Sequence, residues 1–168
     1  VASWNGIYLG EVARIAPTLF SGIRAAETTT SLRRPPASLD AYELTLRGEV
    51  ELSVVTLAPS PVDNIIARPI WPDPLDFMVQ QGHELAQRKQ LDIRELSRHP
   101  AILPGLNTYT GQIVKSLFDR RSLKMQIAIS TNYLETIRMM ASVGLGWTVL
   151  PRSMLDPSLA TLPIRDAR

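Results

Sequence analysis

The chain has 168 residues, an apolar fraction of 45% and a charged fraction of 20%, ordinary values for one globular domain or two small lobes. Formal charge is only +2 and no polybasic block occurs, Arg33-Arg34 and Arg120-Arg121 being the densest pairs, so the segment does not read as holding nucleic acid by itself. Cysteine is absent, which excludes disulfides, thiolate catalysis and Cys-ligated zinc.

In chain order, Val1, Ala2 and Ser3 read as the tail of a strand. Residues 4–26 carry a helical face of Leu9, Val12, Ile15, Leu19 and Ile23, interrupted by Pro17. The β-branched stretch 28–33 is extended. Ser38 starts a short helix bearing Leu39, Tyr42, Leu44 and Leu46, and Gly48 stops it. Residues 52–57 read as a buried strand. Residues 58–63 contain Pro59 and Pro61, which fix φ and remove donors, so this stretch is a crossover or linker.

A second series follows. Residues 75–80 are a strand, 82–90 a polar loop with His83, and 91–98 a short helix with Asp92 as cap. Residues 101–103 form a strand ended by Pro104 and Gly105. Thr108 or Thr110 caps a helix bearing Ile113, Val114, Leu117 and Phe118, and 125–129 is the next strand. Ser130, Thr131 and Asn132 then offer cap side chains, and Glu135 stands at capping-box spacing from Asn132. Leu134, Ile137, Met140 and Val143 recur at helical spacing. Gly144 supplies the stop, Gly146 a close backbone approach, and 147–150 an apolar strand ended by Pro151. Residues 159–164 form a returning segment. Short helices alternating with strands predict an α/β fold of largely parallel sheets flanked by helices.

No nucleophile elbow, His-Glu-x-x-His helix or phosphate-binding glycine loop is present. Gly144-Leu145-Gly146 follows a helix instead of preceding one, which argues against a dinucleotide site. His83 and His99 have no clustered Asp or Glu at ligand spacing and read as loop or surface residues. No catalytic residue, cofactor or metal ligand is assigned, and the chain reads as a non-enzyme. What stands out is hydroxyl-bearing helix starts at Ser3, at 107–110 and at 130–132. Free backbone N–H groups and the helix dipole make such starts ready anion sites.

The order of polar cap, helix, Val143-Gly144-Leu145-Gly146, apolar strand and Leu150-Pro151 resembles the last helix–strand unit of the effector-binding domain of LysR-type transcriptional regulators. Residues 48–55 are similar to that family's strand entering its first hinge, with Glu51 where Asp is usual. Residues 82–86 resemble its His-Pro-Leu-Ala loop, with Glu84 in place of proline, and 91–96 the helix that follows. The resemblance implies a two-lobed, periplasmic-binding-protein-like fold, each lobe a mostly parallel sheet flanked by helices. Residues 1–58 plus 160–168 would form lobe I and 64–155 lobe II. The family's N-terminal winged helix-turn-helix is absent from this stretch, as are most of the first strand and the closing elements, so it reads as a fragment. The function implied is ligand sensing in a cytoplasmic regulator. A small anionic, carboxylate-bearing effector would bind between the lobes, with Ser3 on one wall and Asn107, Thr108, Ser130 and Thr131 on the other. DNA would be met only through the missing domain, and no membrane is involved. The resemblance also implies a homodimer in which Val12, Ile15, Leu19 and 28–33 face Val114, Leu117 and Phe118 of a second copy. The alternative is a two-lobed periplasmic solute-binding protein for transport. The lack of a visible secretory signal favours the regulator.

Overall fold

A computed structural model describes residues 38–50, 52–53, 55, 57–58, 60–69 and 72–165. They fall into two compact units that divide between Asp73 and Pro74.

The described part of the first unit is built on α1, Ser38–Leu46. Gly48 ends it at φ +69°, and the N–H groups of Arg47, Gly48 and Glu49 close onto the carbonyls of Glu43, Thr45 and Leu44, as a glycine C-cap allows. Tyr42 is buried, and its phenol oxygen accepts the Ala58 N–H at 3.1 Å. The Thr45 and Ser53 hydroxyls are 2.7 Å apart. The expected buried strand over 52–57 is not formed by its described positions. Leu52, Ser53, Val55 and Leu57 lie outside any strand, and Leu52 is half exposed. These β-branched and apolar residues have no partner strand among the described residues, so side-chain hydroxyls tie the stretch to α1 instead. The expected elements over 1–37 lie outside the described residues.

The second unit contains β1 (Leu75–Gln80), a 3-10 turn (Glu84–Gln87), α2 (Ile93–Leu96), β2 (Pro100–Leu103), α3 (Tyr109–Asp119), β3 (Gln126–Ser130), α4 (Leu134–Ser142), β4 (Thr148–Pro151), a second 3-10 turn (Arg152–Met154) and β5 (Leu159–Thr161). α2 is capped by Asp92 as expected, and a capping box the sequence reading did not foresee completes it, with Asp92 accepting the Arg94 N–H while Glu95 accepts that of Asp92.

β2 and β3 pair in parallel, with an irregularity between Ala101 and Ile102. A parallel bridge, Ala101 to Trp147, joins β2 to β4 through Ile102 N to Trp147 O at 2.8 Å and Trp147 N to Pro100 O at 3.0 Å. β1 is antiparallel to both β4 and β5. The strands thus form a two-stranded sheet, β3-β2, and a three-stranded sheet, β4-β1-β5, which the bridge from Ala101 to Trp147 links in the order β3-β2-β4-β1-β5, with β1 alone reversed. The parallel sheet expected from helix–strand alternation holds for β2, β3 and β4, where α3 and α4 make the crossovers. It fails for β1, whose sheet neighbours β4 and β5 are not its neighbours along the chain. Residues 159–161 form β5 and attach to β1. Leu162 N to Phe77 O at 2.7 Å and a bridge from Leu91 to Ile164 extend that attachment.

β1, β2 and β4 are covered on both faces, which is why they read as apolar runs, whereas β3 at the edge is largely exposed. One face carries Phe77, Val79, Ala101, Leu103, Trp147 and Val149 against Leu85, Leu91, Ile93, Leu96, Val114 and Phe118. The Trp147 ring stacks on Phe118 at 5.7 Å, and its indole N–H is shared by the carbonyls of Leu96 and His99. Val114 and Phe118 are each 1% exposed. They are core, which corrects their expected place on a dimer surface; the helix turns them inward beneath Trp147. Alternation puts Met78, Ile102, Thr148 and Leu150 on the opposite face, where α4 packs on β1, β2 and β4 and buries Ile137 and Ala141. Gly144 ends α4 at φ +85°. A Cβ on Gly146 would stand 2.5 Å from the Pro100 carbonyl oxygen, so the β2–β4 contact requires glycine there.

Candidate functional site

The carboxyl ends of β2 and β3 lie side by side, Leu103 opposite Ser130, and Thr131 N donates to Leu103 O at 3.2 Å. α3 follows β2 and α4 follows β3, so both helices start at this edge. It is the edge at which open parallel sheets hold ligands.

The start of α3 is closed on itself. Thr108 is its N-cap: the hydroxyl accepts the Gly111 N–H at 3.1 Å and donates to Gly105 O at 2.8 Å. Thr108 N also reaches Gly105 O, at 2.9 Å. A Cβ on Gly111 would collide with that same carbonyl, so the helix start docks on residues 104–108 only because Gly111 has no side chain.

The start of α4 is open. Its N-cap is Tyr133, which makes no side-chain cap bond. The Thr131 hydroxyl only approaches the Tyr133 N–H, at 3.4 Å. Asn132, expected as a cap with Glu135, faces away from α4: its Oδ1 accepts the Gly105 N–H at 2.9 Å. Glu135 instead bonds Arg138 Nε at 2.8 Å. Arg138 also pairs with Asp156, whose carboxyl is held below the usual carboxylate range by the Ser158 hydroxyl and N–H first and by Arg138 after them. Glu135 thus shares Arg138 with Asp156 and stands in the first turn of α4, near the helix's positive end.

Four of the five expected residues meet here. Asn107 and Ser130 are exposed, and Thr108 and Thr131 half-buried. The Asn107 and Asn132 side-chain oxygens lie 2.5 and 3.0 Å from where a Gly105 Cβ would stand, so both amides close over Gly105. Ser3 lies outside the described residues. Asn132 is the residue the sequence reading misassigned. Its type suited a cap, and only the β2–β3 pairing reveals a partner 27 positions earlier. Among the described residues no group of three or more His, Cys, Asp or Glu could hold a metal ion, and no helix is long and apolar enough to cross a membrane.

Residues 36–168 match the family model described as LysR substrate binding domain. A LysR family transcriptional regulator from Pseudomonas aeruginosa superposes with a TM-score of 0.66 at 22% identity, over 95% of this chain and 55% of its own. The Synechocystis PCC6803 CcmR regulatory domain, solved with 2-PG, gives 0.69 at 18% identity over 92% and 77%. The QuiR effector binding domain, solved with shikimate, gives 0.68 at 17% identity over 92% and 76%. At these identities the superpositions establish the fold alone, and the chain spans about half the length of the Pseudomonas regulator. With the family model covering most of its length, the chain belongs to the LysR substrate-binding domains, the effector-binding part of LysR-type regulators and a family of regulatory domains rather than enzymes.

Proposed function

We propose that this chain senses a small anionic effector for a bacterial LysR-type transcriptional regulator of the cytoplasm. The effector sits between two lobes, one within 1–58 and one over 64–155, with 159–161 counted in the second. Its binding shifts their arrangement, and an attached winged helix-turn-helix dimer reads the shift as altered spacing on DNA. The observation that carries the reading is the open start of α4 beside the closed start of α3. Two helix N-termini at one sheet edge present positive ends and backbone donors to an anion. Ser130, Thr131 and Asn107 supply polar side chains around them, and Ser3 supplies the opposite wall. Thr108 holds the start of α3 in place beside them, its hydroxyl and its N–H both bonded within residues 105–111. The complexes of the CcmR and QuiR domains with 2-PG and shikimate support a small-molecule ligand class for the fold.

Calorimetry with 2-PG, shikimate and a panel of small carboxylates tests the reading. A hydrogen bond to a charged ligand group contributes about 1.5–3 kcal/mol, so removing it weakens binding roughly ten- to a hundredfold. For an anion that binds, Ser130→Ala, Thr131→Val and Ser3→Ala each reduce affinity by that order without lowering the melting temperature. Parental affinity in all three variants would overturn the assignment.

A further inference from the structure

His83 and His99 are 16 positions apart, and their rings meet edge to face at 5.3 Å with a 73° interplanar angle. Each ties a different element to the core beneath Trp147. His83 Nδ1 accepts the Leu85 N–H at 3.1 Å and caps the 3-10 turn Glu84–Gln87, whose Leu85 is 3% exposed in that core. The His99 backbone carbonyl accepts the Trp147 indole N–H at 3.1 Å, and its Nε2 stands 3.8 Å from Glu84 Oε1. A neutral imidazole that accepts at Nδ1 carries its proton on Nε2. The next proton must then go to Nδ1, onto the lone pair that Leu85 N–H uses.

We propose that His83 and His99 form a proton-sensitive latch on the segment joining β1 to α2. Protonation of His83 at Nδ1 breaks the cap of the 3-10 turn and places a cation against His99. Residues 82–91 then loosen while β2 and β4 stay paired. The groups acting on His83 are burial, then His99, both of which oppose its charge, and Glu84, which favours it. Burial and His99 prevail and hold the His83 imidazole below its ordinary value of 6.5. Folding therefore favours neutral His83. Its contribution is complete above about pH 6.5 and is lost as the pH falls through the lower folded value.

The test is hydrogen exchange of the 168-residue chain at pH 7.5 and 5.5, corrected for the intrinsic pH dependence of exchange. Residues 82–91 lose protection roughly fivefold at the lower pH, the worth of one neutral hydrogen bond, while 100–103 keep theirs. His83→Asn retains an N-cap acceptor that does not titrate, and its 82–91 protection becomes independent of pH. In the unmodified chain, the His83 ring resonance titrates at the same midpoint as the loss of protection, and His99→Gln moves both upward. Equal protection at the two pH values overturns the latch. So does a loss that survives in His83→Asn, or a ring titration whose midpoint lies apart from the exchange transition.

Discussion

The starts of α3 and α4 stand at the same edge of the same sheet and are built in opposite ways. At α3 a threonine cap, two glycines and a backbone carbonyl satisfy one another within residues 105–111. At α4 the N-cap residue Tyr133 makes no side-chain cap bond, and the residue best suited to make one, Asn132, reaches across to Gly105. Helix starts leave N–H groups that need a partner. Where the chain supplies that partner, the side chains belong to the fold; where it does not, a bound anion is free to supply it. The contrast therefore sorts residues of one chemical type into those whose loss costs stability and those whose loss costs binding.

The strongest way to break the closed start is Gly111→Ala. The added Cβ meets the Gly105 carbonyl, and neither backbone segment is free to yield, because Thr108 bonds that carbonyl twice. Overpacking against backbone costs about 3 kcal/mol or more, so chemical denaturation should show a large fall in the midpoint. A wild-type midpoint would mean that the loop is not docked on α3.

Thr108→Val is the next step down. It keeps the shape and removes only the hydroxyl, leaving the Gly111 N–H without its cap. Loss of an N-cap costs about 1–2 kcal/mol, a melting-temperature drop of roughly 2–8 °C for a domain of this size. Asn132→Ala is smaller again. It removes one neutral hydrogen bond at an exposed side chain, worth about 0.5–1 kcal/mol. Its sharper signature is local, with faster exchange at the Gly105 amide and no change at Gly111.

Most of the second unit was legible in the sequence because its signals are local. The strand over 75–80, the Asp92 cap, a threonine cap at Thr108 or Thr110, and the Gly144 stop each depend on near neighbours along the chain, and the structure places the threonine cap at Thr108. The misreadings all depend on partners far along the chain. β1 runs antiparallel to strands whose paired residues arrive 70 to 83 positions later, from Met78 with Thr148 to Met78 with Thr161. Residues 52–57 have strand-like composition, and composition cannot say whether another strand pairs with them. His83 and His99 looked isolated because spacing along the chain hides an edge-to-face contact. At the candidate site, residue types and helix starts were readable, whereas the division between closed and open starts was not. That division rests on the Asn132–Gly105 bond, which exists only once β2 and β3 lie side by side.

The smallest expected effect is the most discriminating one. Thr131 and Thr108 are both threonines before a helix, both half-buried, and both within reach of a backbone N–H. The Thr131 contact is 3.4 Å long and leads to the N-cap residue itself, not into the first turn of α4. A contact at that distance lies beyond the usual hydrogen-bond range, so Thr131→Val should change the unfolding free energy by less than about 0.5 kcal/mol. Valine also retains the branched shape, and the backbone bond from Thr131 N to Leu103 O stays in place. Measured together by thermal melting, Thr108→Val should fall clearly below the parent chain while Thr131→Val stays level with it. Equal losses would show that the α4 start is capped after all, and the physical distinction between the two helix starts would be gone.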